Sequence, residues 1–327
     1  MISISKAVVL KAAVFILFVS SVTQVFGQTI GKPIKLPARY DAHRFYVEPI
    51  TADGAKLNFF TDTGGGLFIF ADVVEKLKIP VESVAGDGGR KMETIALPKF
   101  KAGAEIVTPL GSPNERLFVA PISQRMSYAH DWSGMLGQQW FAGRVWTFDY
   151  PKKQLLLRAA GDVPAVKPAH RVTLGFKAND SGKRILNFPR IAVRIDGETL
   201  DLLFDTGATT ELTEAALKAL NDKQPAVRAT SFITTSVFEK WRKAHPDWRV
   251  LEAAENRSGA AMIEVPDIEI GGYRTGAVWF TVRADKNFHE YMSQWMDKRI
   301  EGAIGGNALR HFRITVDYPN AVAAFEK

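Results

Sequence analysis

The chain of 327 residues contains no cysteine. That removes disulfides, thiolate metal sites and cysteine nucleophiles together. It does not exclude an oxidising compartment, because a chain of this length can build a core without covalent staples. The sequence also lacks an HExxH pair, a GxSxG elbow and a GxxxxGK[ST] run, the signatures of zinc peptidases, α/β-hydrolases and P-loop enzymes. His43, His130, His170, His245, His289 and His311 form no i, i+4 pair and read as surface or structural residues. No metal and no cofactor is expected. Basic residues exceed acidic ones by seven, but pairs such as Lys152-Lys153 and Lys183-Arg184 are scattered, with no interleaved aromatic platform. No nucleic-acid partner follows from such a pattern; a mild positive balance suits anionic envelope surfaces or acidic substrates.

What is present is a globular composition, 46% hydrophobic and 24% charged, with ample material for a core. Residues 1–27 read as a secretory signal: Lys6 and Lys11, an apolar run from Ala12 to Val22, then Val25-Phe26-Gly27 ahead of Gln28. The run is short for a membrane span of about 20 residues, so a cleaved signal and a periplasmic or secreted location are expected, with no stable membrane span afterwards. Removing Lys6 and Lys11 leaves a charge of +5.

The chain repeats itself. Residues 53–64 read DGAKLNFFTDTG and residues 196–207 read DGETLDLLFDTG, an ungapped offset of 143 from Asp62 to Asp205. Asp-Gly before an apolar run is a hairpin signal, so each copy is a turn, a strand and Asp-Thr-Gly at the strand's end. A second element recurs: GMLGQQWFAGRVWTFDYP at 134–151 and GAIGGNALRHFRITVDYP at 302–319, an offset of 168. The second copy therefore carries 25 extra residues between its two elements. Ala226 to Ser258, with a helix around Val237 to Lys243, is the expected place for them. Helices are expected after each Asp-Thr-Gly, at 71–78 and 213–221. Alternating patterns such as IAVRIDG and VWFTVRA make the class mainly β. Residues 159–170, rich in Ala and Pro, read as a linker between a first lobe (28–158) and a second (171–327).

One Asp-Thr-Gly arises by chance in roughly one chain in fifteen of this size; two matched copies with matched partners do not. Each strand end can hold a carboxylate at fixed depth, Thr can lock the loop, and Gly allows close approach. Two such loops across a pseudo-twofold would set two carboxyls side by side, where they cannot both ionise and share one proton. One could then act as base on a water while the other polarises a carbonyl.

These motifs, Asp62-Thr63-Gly64 and Asp205-Thr206-Gly207 with Met135-Leu136-Gly137 and Ala303-Ile304-Gly305, resemble those of the pepsin–retropepsin superfamily of aspartic proteases, over roughly residues 40–327. The resemblance implies two related β-barrel-like lobes with the cleft between them and a polypeptide substrate. Asp62 and Asp205 would be catalytic, Thr63 and Thr206 would link the loops, Gly64 and Gly207 would support them, and Gly137 and Gly305 would cross behind them. Pepsin-like enzymes carry Ser or Thr after the motif; here stand Gly65 and Ala208. Without those donors the carboxyls should titrate higher and the working pH should be milder. Gly86, Asp87, Gly88 and Gly89, starting 24 residues beyond Asp62, are a candidate flap tip or else an ordinary hairpin turn. Only residues 28–61 lie between the cleavage site and Asp62, so a self-inhibiting propeptide is not expected. Both Asp residues in one chain point to a monomer. Asp149 and Asp317, in Asp-Tyr-Pro, read as turn formers. Trp140, Trp146, Trp241, Trp248, Trp279 and Trp295 read as core or cleft wall. The rival function is a peptide- or glycan-binding protein on the same fold.

Overall fold

Strand-forming patterns dominate the chain, and the computed structural model describes residues 32–85, 91–110 and 115–327 as three large β-sheets with short helices between them. The first half forms an eight-stranded sheet and the second a nine-stranded one, which makes the fold mainly β and bilobal. A six-stranded sheet draws strands from both halves. No described helix is long and apolar enough to cross a membrane.

Local sequence explains the regular parts. Arg190–Ile195 alternates buried and exposed residues, as a strand with one covered face must. It joins Glu198–Phe204 through Asp196-Gly197, whose φ angles of 50° and 76° are those of a tight hairpin turn. Val145–Asp149 is buried at every position, because the six-stranded sheet is covered on both faces there. It pairs antiparallel with its own repeat counterpart, Arg313–Asp317. Thr147 faces Thr315 in that register, and their hydroxyls meet at 2.7 Å with no exposure. The internal pseudo-twofold thus passes between two copies of one residue. Around it lie the fully buried rings of Trp140, Trp146, Phe141 and Phe148, and Phe148 reaches Phe204 of the second lobe at 6.1 Å.

The second half departs from the sequence expectation about its insertion. In the first lobe Gly134–Leu136 lies between Phe59–Thr61 and Leu67–Phe70. In the second, Gly302–Ile304 lies between Glu198–Phe204 and Ser231–Thr234. Phe68 and Phe232 therefore occupy equivalent places, and each carbonyl sits 2.1 Å from where a Cβ on Gly134 or Gly302 would be. Phe68 follows Asp62 by 6 residues and Phe232 follows Asp205 by 27, so 21 of the 25 extra residues come directly after the second Asp-Thr-Gly. They form an excursion of strand Thr209–Glu211, helix Glu214–Leu220 and strand Val227–Ala229, closed as its own two-stranded sheet. The helix starts where expected, with the Thr213 hydroxyl accepting from the Ala216 amide at 3.3 Å. It has no counterpart in the first lobe, however. The partner of helix Ala71–Lys76 is Thr235–Ala244, since each follows its strand without a gap. Local propensity identified all three helices; which two correspond is decided by strand pairing.

Candidate active site

Both Asp residues stand where a strand has just ended beside a parallel neighbour. Phe59–Thr61 pairs parallel with Gly134–Leu136, and Glu198–Phe204 with Gly302–Ile304. The Asp62 amide donates to Leu136 O at 3.1 Å and the Asp205 amide to Ile304 O at 3.0 Å, so each carboxyl is fixed by the same backbone bond. The turns close alike: Gly65 N donates to Asp62 O, and Ala208 N to Asp205 O.

The two loops are tied across the pseudo-twofold by their threonines, both wholly buried. Thr63 N donates to Thr206 Oγ1 at 3.2 Å, Thr206 N donates to Thr63 Oγ1 at 3.0 Å, and Thr63 Oγ1 donates to Phe204 O at 2.5 Å. The glycines then let the loops interleave. A Cβ on Gly207 would lie 2.3 Å from Asp62 Cγ, and one on Gly64 would lie 2.9 Å from Asp205 Cγ. Behind them, a Cβ on Gly137 would fall 2.0 Å from Gly66 O and one on Gly305 1.8 Å from Thr230 O.

The carboxyls of Asp62 and Asp205 are hydrogen-bonded to each other. Asp62 also accepts from the Gly64 amide at 2.7 Å, and Asp205 from the Gly207 amide at 3.1 Å. Burial drives both groups above the usual carboxylate range. Asp205 rises well above it, because the charge of Asp62 adds to burial. For Asp62 the bonds from Asp205, Gly64 and Gly207 offset part of the rise. The two therefore titrate as one pair that shares a proton.

Gly65 has a steric explanation. A Cβ there would lie 2.5 Å from Met135 Sδ and 2.8 Å from Asp62 Oδ2. Met135 thus occupies the space that a Ser or Thr side chain would need. At Ala208 the methyl is buried against the second crossing, 2.9 Å from the position of a Cβ on Gly305.

Above the pair opens a cleft of ≈ 520 Å³. Its first-lobe wall is aromatic and sulfur-bearing: Phe60, Tyr128, Trp132 and Met135, with Trp132 stacked on Phe60 at 4.2 Å. Its second-lobe wall is polar: Glu211, Glu255, Arg257 and Arg283. Arg283 pairs with Glu255 at 3.1 Å, and Ser258 donates to the same carboxylate. Phe60 and Met135 belong to the repeated motifs, but Glu255, Arg257 and Arg283 lie outside them, and only the shared floor unites the two walls. Gly86, Asp87, Gly88 and Gly89 lie outside the described residues. The strands flanking them, Glu82–Ala85 and Lys91–Ile95, pair as a hairpin. Asp149 and Asp317 accept turn amides, from Lys152 and Asn320, and stand apart from the cleft. Among the described residues no group of side chains could hold a metal ion.

No protein-family profile matches the sequence. No curated protein matches it either. Among solved structures, an aspartic proteinase from Irpex lacteus aligns at 12% identity over 91% of this chain and 97% of that one, with a TM-score of 0.46. A protein named EDGP aligns at 12% identity over 90% and 94%, with a TM-score of 0.40. At that distance the functional reading rests on the site's own geometry.

Proposed function

We propose that this chain is an aspartic-type endopeptidase in which Asp62 and Asp205 act as one proton-sharing pair. The hydrogen bond between the two carboxyls, held at matched strand ends at the floor of an open cleft, is the observation that supports the reading most strongly. The ionised carboxyl of the pair takes a proton from a water, and that water attacks the scissile carbonyl. The protonated carboxyl of the pair gives its proton to the carbonyl oxygen as the tetrahedral diol forms. Collapse of the diol passes a proton to the amide nitrogen and breaks the C–N bond, leaving a carboxylic acid and an amine. Thr63, Thr206, Gly64, Gly207, Gly137 and Gly305 position the pair without touching substrate. The reading requires no cofactor and no second subunit, and the N-terminal pattern makes the enzyme exported, to the periplasm or beyond.

The test compares the full chain with Asp62→Asn and Asp205→Asn on a peptide library, with and without a statine-type transition-state mimic. Each substitution should lower kcat by about 10³-fold or more, as loss of an essential acid–base group does, and the mimic should block the parent. Cleavage that persists in both variants overturns the assignment. No cleavage by any form, with peptides still bound, favours a binding protein on this fold.

A further inference from the structure

Arg310 follows the short helix Gly306–Leu309 that continues from Gly305. Its Nε donates to His311 Nε2 at 3.2 Å, and its Nη1 lies 3.2 Å from His43 Nε2. Among the described residues no carboxylate pairs with it. A guanidinium has only donors, so both imidazole nitrogens facing it are acceptors and both rings are neutral. His43 then carries its hydrogen on Nδ1, toward Tyr40 Oη at 3.0 Å. The surroundings are strongly positive. Burial, then Arg310, His311, Arg228 and Arg44, hold His43 down at about 4, and burial, Arg310 and Lys327 lower His311.

This cluster walls a cavity of ≈ 690 Å³, joined by Lys153 and Lys223. Neither lysine has a carboxylate partner among the described residues. Asp41 is the one acidic side chain among the lining residues, and it already faces Arg39 and Arg44 at 3.8 Å each. Arg228, nearby, is neutralised by Asp222 at 2.5 Å. The uncompensated charge therefore belongs to Arg310, Lys153 and Lys223. Arg310 retains free N–H groups, enough for a forked bond to an oxyanion.

The cavity neighbours the cleft through a series of shared wall residues. An intervening hollow of ≈ 490 Å³ shares Tyr128, Trp132 and Glu211 with the cleft over Asp62 and Asp205, and Asp41 and Pro225 with the cationic cavity. Its walls are held across the lobes: Ala42 O accepts from Ala229 N at 3.1 Å, and Arg44 donates to Val227 O at 3.0 Å. The excursion after the second Asp-Thr-Gly thus builds one side of that hollow.

We infer that the Arg310–Lys153–Lys223 cavity is an oxyanion subsite at the end of the cleft, filled by a carboxylate of the bound polypeptide. The inference rests on the peptidase reading for the identity of that polypeptide. It makes the substrates acidic at one end of the bound segment, away from the cleaved bond.

The experiment uses full-length Asp62→Asn protein, which binds without turnover, with histidine rings labelled for NMR. Its ligands are inorganic phosphate and two peptides that differ only by Glu against Gln near one terminus. Phosphate should shift the His43 and His311 ring signals saturably and leave His245 unmoved. The acidic peptide should bind about tenfold more tightly than its neutral twin, the usual effect of one hydrogen bond to a charged group. Arg310→Gln should erase that difference. Lys223→Gln, at an exposed position, should reduce it severalfold even if the arginine variant folds poorly. Equal binding of the twins with unmoved ring signals overturns the subsite, as does a preference that survives both substitutions. Phosphate shifts with no binding of either peptide would sustain the subsite and sink the peptidase reading instead.

Discussion

Gly65 shows how one residue can be set by another strand. The position after Asp-Thr-Gly has no room for a side chain, because Met135 Sδ stands 2.5 Å from the site of its Cβ. Gly65→Ser should therefore destabilise the chain by about 1–3 kcal/mol, the range for overpacking, as read by urea unfolding. Adding Met135→Val removes the sulfur and should recover part of the loss, since the contacts with Asp62 remain. It should also let the new hydroxyl donate to Asp62, whose Oδ2 lies 2.8 Å from the Cβ position. The titration of the pair sets a further expectation. The proposed activity needs one proton shared by Asp62 and Asp205. Both groups are raised, chiefly by burial, so the doubly protonated form survives to higher pH and the shared proton is lost later. Both limbs of the pH–rate profile therefore move up from the ordinary carboxylate range. A maximum at about pH 2–3, below those reference values, contradicts this. The Gly65→Ser/Met135→Val variant should shift the acid limb down, because a new donor favours the ionised form.

At the scale of elements, the two crossings behind the Asp loops leave no tolerance. A Cβ on Gly305 would sit 1.8 Å from Thr230 O, and both groups are backbone held in strands or their turns. Gly305→Ala should cost about 3 kcal/mol or more, measured by chemical unfolding, and should lower kcat through displacement of Asp205. Gly66→Ala is the control within the same structure: its Cβ would meet nothing closer than 3.7 Å, and stability should stay within about 0.5 kcal/mol. Hairpins and helices of this kind were legible from sequence, because Asp196-Gly197 and the Thr213 cap act through neighbours a few residues away. The site of the insertion was not. Ser231–Thr234 is identified as the counterpart of Leu67–Phe70 only by lying beside Gly302–Ile304, and no local pattern encodes that pairing.

Over the whole molecule, the six-stranded sheet carries the symmetry that the repeat announces. Thr147 and Thr315 face each other at its centre, fully buried, with 2.7 Å between their hydroxyls. Thr147→Val or Thr315→Val alone leaves one hydroxyl buried and unpaired, and should cost about 1–3 kcal/mol. The double substitution leaves none, and should be more stable than either single one. A double-mutant cycle on thermal unfolding reads this directly; additive losses would mean the pair contributes nothing to joining the halves.

The repeat offsets, the paired Asp-Thr-Gly motifs and their trailing glycines were set in the sequence, because a symmetric site needs the same short residues twice and those can be read in a line. The cleft walls could not be read that way. Trp132, Glu255 and Arg257 follow no shared period, and none lies in a repeated motif. Where the second Asp loop departs from the first, and which charges end without a partner, were decided by strand pairing across the lobes. Burial and Coulomb interaction depend on distance in space, and only the folded chain fixes that distance.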